Sequence, residues 1–295
     1  MKNIIIAGGT GFIGRYVTTR FREMGYNVSI ISRNKSNENN VSWKQNDLIN
    51  AFENSDLVLN LSGKSINCRH NFSNRKAIIE SRINTTNAIG NAIRACKNPP
   101  KTWINASATG IYKPSQNKAM TENEMDLGSD FLSEVVRKWE NTFFEFKTNK
   151  TRLIALRTSV VIGNNGGALR PLVWLSRLGL GGKQAIGNQI FSWIHIEDYF
   201  KVLLFILHKD EISGIINCTA PHPLSNKDFM KILRKTVHAP FGIPAPKFAI
   251  NIGAKIIGME PELLLNSSYI IPLKLNNLGF KFIFPNMENA LSDLL

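Results

Sequence analysis

The chain has 295 residues, with 36 Lys and Arg against 22 Asp and Glu, so its formal net charge is +14. A length of 295 residues with 43% hydrophobic and 20% charged residues excludes a disordered chain, and a domain this large folds without metal or disulfide staples. The positive charge is spread along the chain with no Lys/Arg-rich block, which argues against nucleic acid as a partner, because phosphate affinity needs clustered cations; no apolar run reaches the roughly 18–20 residues of a bilayer span, so no membrane partner is expected.

The opening MKNIIIAGG reads as a strand over residues 3–7 and not as a signal peptide, because Gly-Gly interrupts the apolar run. Strands are predicted over residues 27–32, 41–44, 56–61, 102–106 and 152–161. Helices fall between them over residues 12–24, 75–96 and 130–146. A helix over 197–208 and a strand over 214–219 follow. Near-continuous apolar strands alternating with helices predict an α/β fold with a parallel, doubly wound sheet. Beyond Thr219 the prolines Pro221, Pro223, Pro240, Pro244 and Pro246 punctuate short helices. The expected division is a nucleotide-binding domain over 1–220 and a smaller, mostly helical C-terminal extension over 221–295, with 165–192 contributing to the substrate lobe. Cys68, Cys96 and Cys218 are scattered without metal-ligand spacing, which fits reduced thiols in a cytoplasmic protein and gives no metal site.

The strongest chemical signal is Gly8-Gly9-Thr10-Gly11-Phe12-Ile13-Gly14 directly after Ile4-Ile5-Ile6. A glycine turn between strand and helix lets backbone approach a pyrophosphate, whose charge meets the free amides and positive dipole of the helix start. The spacing Gly8-x-x-Gly11-x-x-Gly14 is not the plain G-x-G-x-x-G form. The second strand selects the dinucleotide. It ends Ile31-Ser32-Arg33-Asn34-Lys35, with no carboxylate for a ribose 2′-hydroxyl, whereas the Arg33 fork and Ser32 hydroxyl suit a 2′-phosphate. The expected cofactor is therefore NADP(H).

Together with NLSG at 60–63, SRINTT at 81–86, SATGIY at 107–112, FLSEVVRKWE at 131–140, LRTSVVIG at 156–163, RLGLGG at 177–182 and FSWIHIED at 191–198, these motifs resemble the atypical short-chain dehydrogenase/reductases known as the epimerase family. Across the whole chain, the tail TAPHPLSNKDF and NLGFKF included, it is similar to that family and to the extended NAD(P)-dependent epimerase/dehydratases. The resemblance implies a Rossmann-like sheet with cofactor across the carboxyl ends of its strands. It carries cofactor contact over to Gly8, Thr10, Gly11, Phe12, Ile13, Gly14, Ser32, Arg33, Leu61, Ser62 and Arg82. Asp47 stands where related enzymes bond the adenine, with a plain helix N-cap before Leu48 as the other reading. In related proteins, helices such as 75–96 and 130–146 form dimer bundles, which makes a homodimer the oligomeric expectation.

Related reductases use a Tyr-x-x-x-Lys helix to exchange a proton with substrate. Here neither Phe131 with Val135 nor Leu132 with Val136 can do so. The remaining candidates are Ser107 and Thr109, close to where relatives place a catalytic hydroxyl, Tyr112 as the nearest phenol, and His195, whose imidazole is either acid–base or bonded within its own turn. Arg157 and Asn217 are read as structural or cleft-lining. The glycine-dense stretch 178–188 reads as a loop over the cleft, and Arg82 and Lys76 on one helix offer charge to an anionic substrate or to solvent. The functional expectation is an NADP(H)-dependent oxidoreductase or epimerase of a small, sugar-nucleotide-like substrate. The alternative is a non-catalytic NADP(H)-binding sensor or assembly protein.

Overall fold

Strand β1 (Asn3–Ala7) alternates Ile4 and Ile6 on one side with Ile5 and Ala7 on the other, and all four are buried. A strand of this kind needs cover on both faces. The computed structural model, which describes residues 2–33, 40–257 and 260–295, supplies it.

After β1 come α1 (Phe12–Glu23), β2 (Asn27–Ile31), β3 (Asn40–Val41), α2 (Gln45–Phe52), β4 (Leu57–Asn60), α3 (Phe72–Ala95), β5 (Thr102–Ala108), β6 (Ser115–Met120) and α4 (Phe131–Phe144). Next are β7 (Arg152–Thr158), β8 (Val160–Gly163), β9 (Gly166–Gly167), α5 (Leu169–Arg177), β10 (Ile190–Phe191), β11 (Trp193–His195), α6 (Ile196–His208) and β12 (Gly214–Cys218). The tail holds β13 (Leu224–Ser225), α7 (Asn226–Thr236), α8 (Lys247–Ile257), α9 (Glu262–Leu265), β14 (Ser268–Ile270), α10 (Leu273–Asn277) and α11 (Met287–Leu294).

Seven strands form one parallel sheet in the order β12-β7-β5-β4-β1-β2-β3. Chain order reverses between β1 and β4, and in such sheets a crevice for ligand opens at the carboxyl ends of the strands flanking that point. On one face Ile4, Ile6, Leu57 and Leu59 pack with Val17 and Phe21 of α1 and with Phe200 and Leu203 of α6. On the other, Ile5 and Val58 pack with Leu48 and Phe52 of α2, Ile89 and Ile93 of α3 and Phe143 of α4. No helix among the described residues is long and apolar enough to cross a membrane.

Two expectations change. The predicted strand over 152–161 is two strands. Ser159 separates β7, which stays in the parallel sheet, from β8, which joins β11 and β9. The predicted strand over 41–44 ends at Val41, and residues 45–52 form helix α2, which starts ahead of Asp47. The mostly helical tail also carries two short strands: β13 pairs with β10 and β14 pairs with β6. It also returns to the main core, where Leu275 and Phe280 join the α1–α6 face. The buried Asp198 carboxylate accepts the backbone amides of Ile283 and Phe284 at 2.8 and 2.9 Å.

Candidate functional site

Strand register assembles the site. Ala7 lies opposite Ile31 on β2 and Asn60 on β4, which sets Gly8 between the Ser32-Arg33 and Leu61-Ser62 strand ends. Gly8 has φ +81°, and a Cβ there would sit 2.8 Å from the Leu61 carbonyl carbon. Gly11 caps α1 with no side-chain hydrogen bond, and the first turn holds no acidic residue. The amides of Phe12, Ile13 and Gly14 have no intrahelical acceptor and stand under the positive end of the dipole. The Thr10 carbonyl is held by Arg15 at 3.0 Å. The Phe12 ring packs on the backbone of Gly163, Gly166 and Gly167, while Ile13 packs on the core.

Arg33 is exposed at the end of β2, and the Ser32 amide bonds the Val41 carbonyl at 3.0 Å. Asn34 and Lys35 lie outside the described residues. Asp47 stands in the first turn of α2, not at its N-cap, which is Lys44; the Ser42 hydroxyl donates to the Asp47 carboxylate. The Ser62 amide bonds the Asn60 side chain at 3.1 Å. Arg82 reaches over from α3 and donates to the carbonyls of Lys64 and Ile78. Its guanidinium stacks 5.0 Å from the Trp139 ring, and burial pushes its pKa down to about 10. Gly63 allows that approach, since a Cβ there would meet the Arg82 guanidinium carbon at 3.3 Å. The exposed Lys76 lies 3.8 Å from Glu80.

Beside Arg82 opens a cavity of about 380 Å³ between α4, the ends of β5 and β7, α5, β10 and α7. Of the four catalytic candidates only Thr109 lines it. Ser107 is buried below and donates to the Glu140 carboxylate at 2.5 Å. The Tyr112 hydroxyl donates to Asn217 at 2.8 Å and accepts from Arg157 at 2.9 Å; burial raises its pKa, against the pull of Arg157. His195 belongs to a different cavity, with Tyr16, Arg20 and Asp293. There its Nδ1 accepts the Glu197 amide as the N-cap of α6, and its ring lies 3.9 Å from that of Phe284. Each of these three side chains is hydrogen-bonded within the fold.

Sequence reading missed Glu140, which forms a paired buried ion bridge with Arg157 at 2.8 and 2.7 Å. A signal existed: Val136, Trp139, Glu140 and Phe143 share the buried stripe of α4, and a carboxylate on such a stripe demands a buried cation.

Burial holds the His195 pKa below its ordinary value of 6.5, with Asp293 pulling the other way. The unfolded chain therefore takes up a proton that the folded chain refuses, so this residue's contribution to stability falls as pH drops below the ordinary value. His195→Asn, which keeps an N-cap acceptor, is expected to lose part of the fall in denaturation midpoint seen between about pH 7.5 and about pH 5.5. Equal falls in both proteins would refute this.

The fold and glycine cradle define a nucleotide-binding, doubly wound α/β protein. The comparisons narrow the class. Residues 4–219 match the model of the NAD dependent epimerase/dehydratase family, and residues 245–294 match a domain of unknown function (DUF1731). The chain belongs to the NAD dependent epimerase/dehydratase family. It is 32% identical over 300 residues to an epimerase family protein of Staphylococcus epidermidis, covering 100% of this chain and 99% of the relative. An epimerase family protein of Staphylococcus saprophyticus is 34% identical over 300 residues, covering 100% of both chains. Among solved structures, the human epimerase family protein SDR39U1 (isoform 2) with NADPH superposes with a TM-score of 0.90 at 30% identity, covering 99% of this chain and 98% of that one. A nucleoside-diphosphate sugar epimerase from Corynebacterium glutamicum gives 0.81 at 29% identity, with 99% of this chain and 57% of that chain covered.

Proposed function

We propose that the chain is an NADP(H)-dependent oxidoreductase or epimerase acting on a small carbonyl or hydroxyl substrate. The observation that carries this reading is the cradle: uncapped α1 amides, glycines packed too closely for a Cβ, and Arg33 at the adjoining strand end. Such a site suits a pyrophosphate together with a 2′-phosphate, and the human relative crystallised with NADPH supports it. In this reading the Gly8–Gly14 backbone and Arg82 hold the diphosphate, and Ser32 and Arg33 hold the 2′-phosphate. Bound NADPH supplies a hydride. The chain's own cavity residues position the substrate and exclude water, with Thr109 the candidate hydroxyl that lines the chamber.

Calorimetry tests the assignment. Arg33→Ala is expected to weaken NADPH about tenfold or more, which is about 1.4 kcal/mol, and to leave NADH nearly unchanged. Tighter NADH than NADPH binding by the unaltered chain would overturn it.

One observation favours a second reading, a non-catalytic NADP(H)-binding sensor or assembly protein. The α4 face toward the cavity presents Leu132, Val135, Val136 and Trp139, none of which exchanges a proton. Tight NADPH binding with no absorbance change across a panel of ketones, aldehydes and alcohols would decide for it.

A further inference from the structure

We infer that the chamber beside the cofactor cradle takes an uncharged carbocyclic ligand and rejects sugar nucleotides. This rests on the proposed function only for the name substrate chamber; the argument concerns the walls themselves.

One wall is α4, where Val135, Val136 and Trp139 are at most 5% exposed and yet border the cavity. Facing them are Leu172 of α5, Phe191 of β10 and Phe229 of α7, the last two rings tilted against each other with centroids 4.8 Å apart. Apolar surface on both sides of the chamber favours a ligand that brings apolar surface of its own.

Many of the polar side chains in the lining are already bonded within the protein, while Thr109 keeps only a 3.5 Å contact to the Thr158 carbonyl and Asn266 stands exposed at the edge. The Asn226 amide donates to Gln184 Oε1 at 3.1 Å and its oxygen accepts the Gln184 backbone amide at 2.8 Å. Gln189 donates to the Gln184 carbonyl at 3.1 Å. The hydroxyls of Thr158 and Ser159 donate to the carbonyls of Leu156 and Cys218, and that of Ser192 donates to Ser268. A sugar ring needs several donors and acceptors aimed at it, and donors already committed to the protein are lost to a ligand.

Charge points the same way. A nucleoside diphosphate in a closed site needs cations around its phosphates. Among the described residues the lining offers one cation, Arg82, on the cofactor side. The lining's one carboxylate among the described residues, Glu262, stands exposed in it and repels a phosphate.

The test titrates α-tetralone, a neutral benzo-fused cyclohexanone, and uridine diphosphate glucose into the full chain by calorimetry, with NADPH in a separate titration. The tetralone is expected to bind saturably, with a Kd of about 1 mM or tighter for a ligand of this size, and the sugar nucleotide to give no saturable heat. Leu132→Gln changes a half-buried side chain on the cavity wall. It is expected to weaken tetralone about fivefold or more and to leave the NADPH Kd within about twofold, since a change at one apolar contact in a pocket discriminates by about tenfold or more. Saturable binding of the sugar nucleotide in competition with tetralone, absence of tetralone binding, or indifference of tetralone to Leu132→Gln would each overturn the inference. Failure of NADPH to bind while tetralone binds would remove the cofactor reading and leave this one standing.

Discussion

Glu140→Ala is expected to lower the stability of the folded chain by about 3–5 kcal/mol. The reason is the fate of Arg157. Its guanidinium, 3% exposed, keeps only the Tyr112 hydroxyl as a named acceptor once the carboxylate is gone. Burial opposes the Arg157 charge, but Glu140 outweighs it and raises the arginine's pKa. The loss also frees Ser107, which donates to the same carboxylate. The network spans β5, α4, β7 and, through Tyr112 and Asn217, β12. Its far end is Glu122, which accepts the backbone amides of Asn217 and Lys274 and so ties in the tail. Replacing both partners at once, Glu140→Leu with Arg157→Met, removes the orphaned charge along with its mate and is expected to recover most of the loss. Urea midpoints read both results. A Glu140→Ala loss under about 1 kcal/mol would show that the pair is hydrated and not the buried bridge described here.

The network explains why part of the site was legible in sequence and part was not. The cradle was readable because its signal is local: glycines at three-residue spacing between an apolar strand and a helix need no distant partner to be understood. The parallel sheet was readable for the same reason, since Ile4-Ile5-Ile6 and Leu57-Val58-Leu59 announce double-sided burial within a few residues. The fates of Tyr112 and Ser107 depend on partners 105 and 33 residues away. Nothing beside SATGIY states that Asn217 and Glu140 will engage those hydroxyls. The strand β6 was equally hidden. Ser115-Gln116-Asn117-Lys118 carries no apolar alternation, and its pairing is supplied by β14, over 150 residues onward. The break at Ser159 was invisible because Val160, Val161 and Ile162 continue the apolar run while the chain passes into another sheet. His195 was ambiguous in sequence; in the fold its Nδ1 accepts the Glu197 amide within its own turn while its Nε2 lies 3.3 Å from Asp293.

Gly14→Ala is expected to weaken NADPH by about 100-fold, near 3 kcal/mol, without unfolding the chain. Gly14 lies within α1, so its conformation is open to any residue. The obstacle is contact: a Cβ there would lie 2.2 Å from the Gly8 carbonyl oxygen and 2.7 Å from the Gly9 Cα. Both are backbone atoms and cannot rotate away, so the helix must lift from the turn that forms the other half of the cradle. Overpacking of this kind costs about 1–3 kcal/mol of stability, which a domain of ordinary stability survives. Two alanine controls separate the cradle from general damage. At Gly11, in the same turn, a Cβ would come no closer than 3.4 Å to the Gly8 oxygen, so Gly11→Ala is expected to weaken NADPH far less. At Gly25, after α1, space is open but φ is +80°, so Gly25→Ala is expected to cost about 1–2 kcal/mol of stability and leave the NADPH affinity unchanged. The order of lost affinity, Gly14 well ahead of Gly11 with Gly25 at zero, follows only if the nucleotide rests on the β1–α1 turn. Gly14→Ala with wild-type NADPH affinity would place the nucleotide elsewhere.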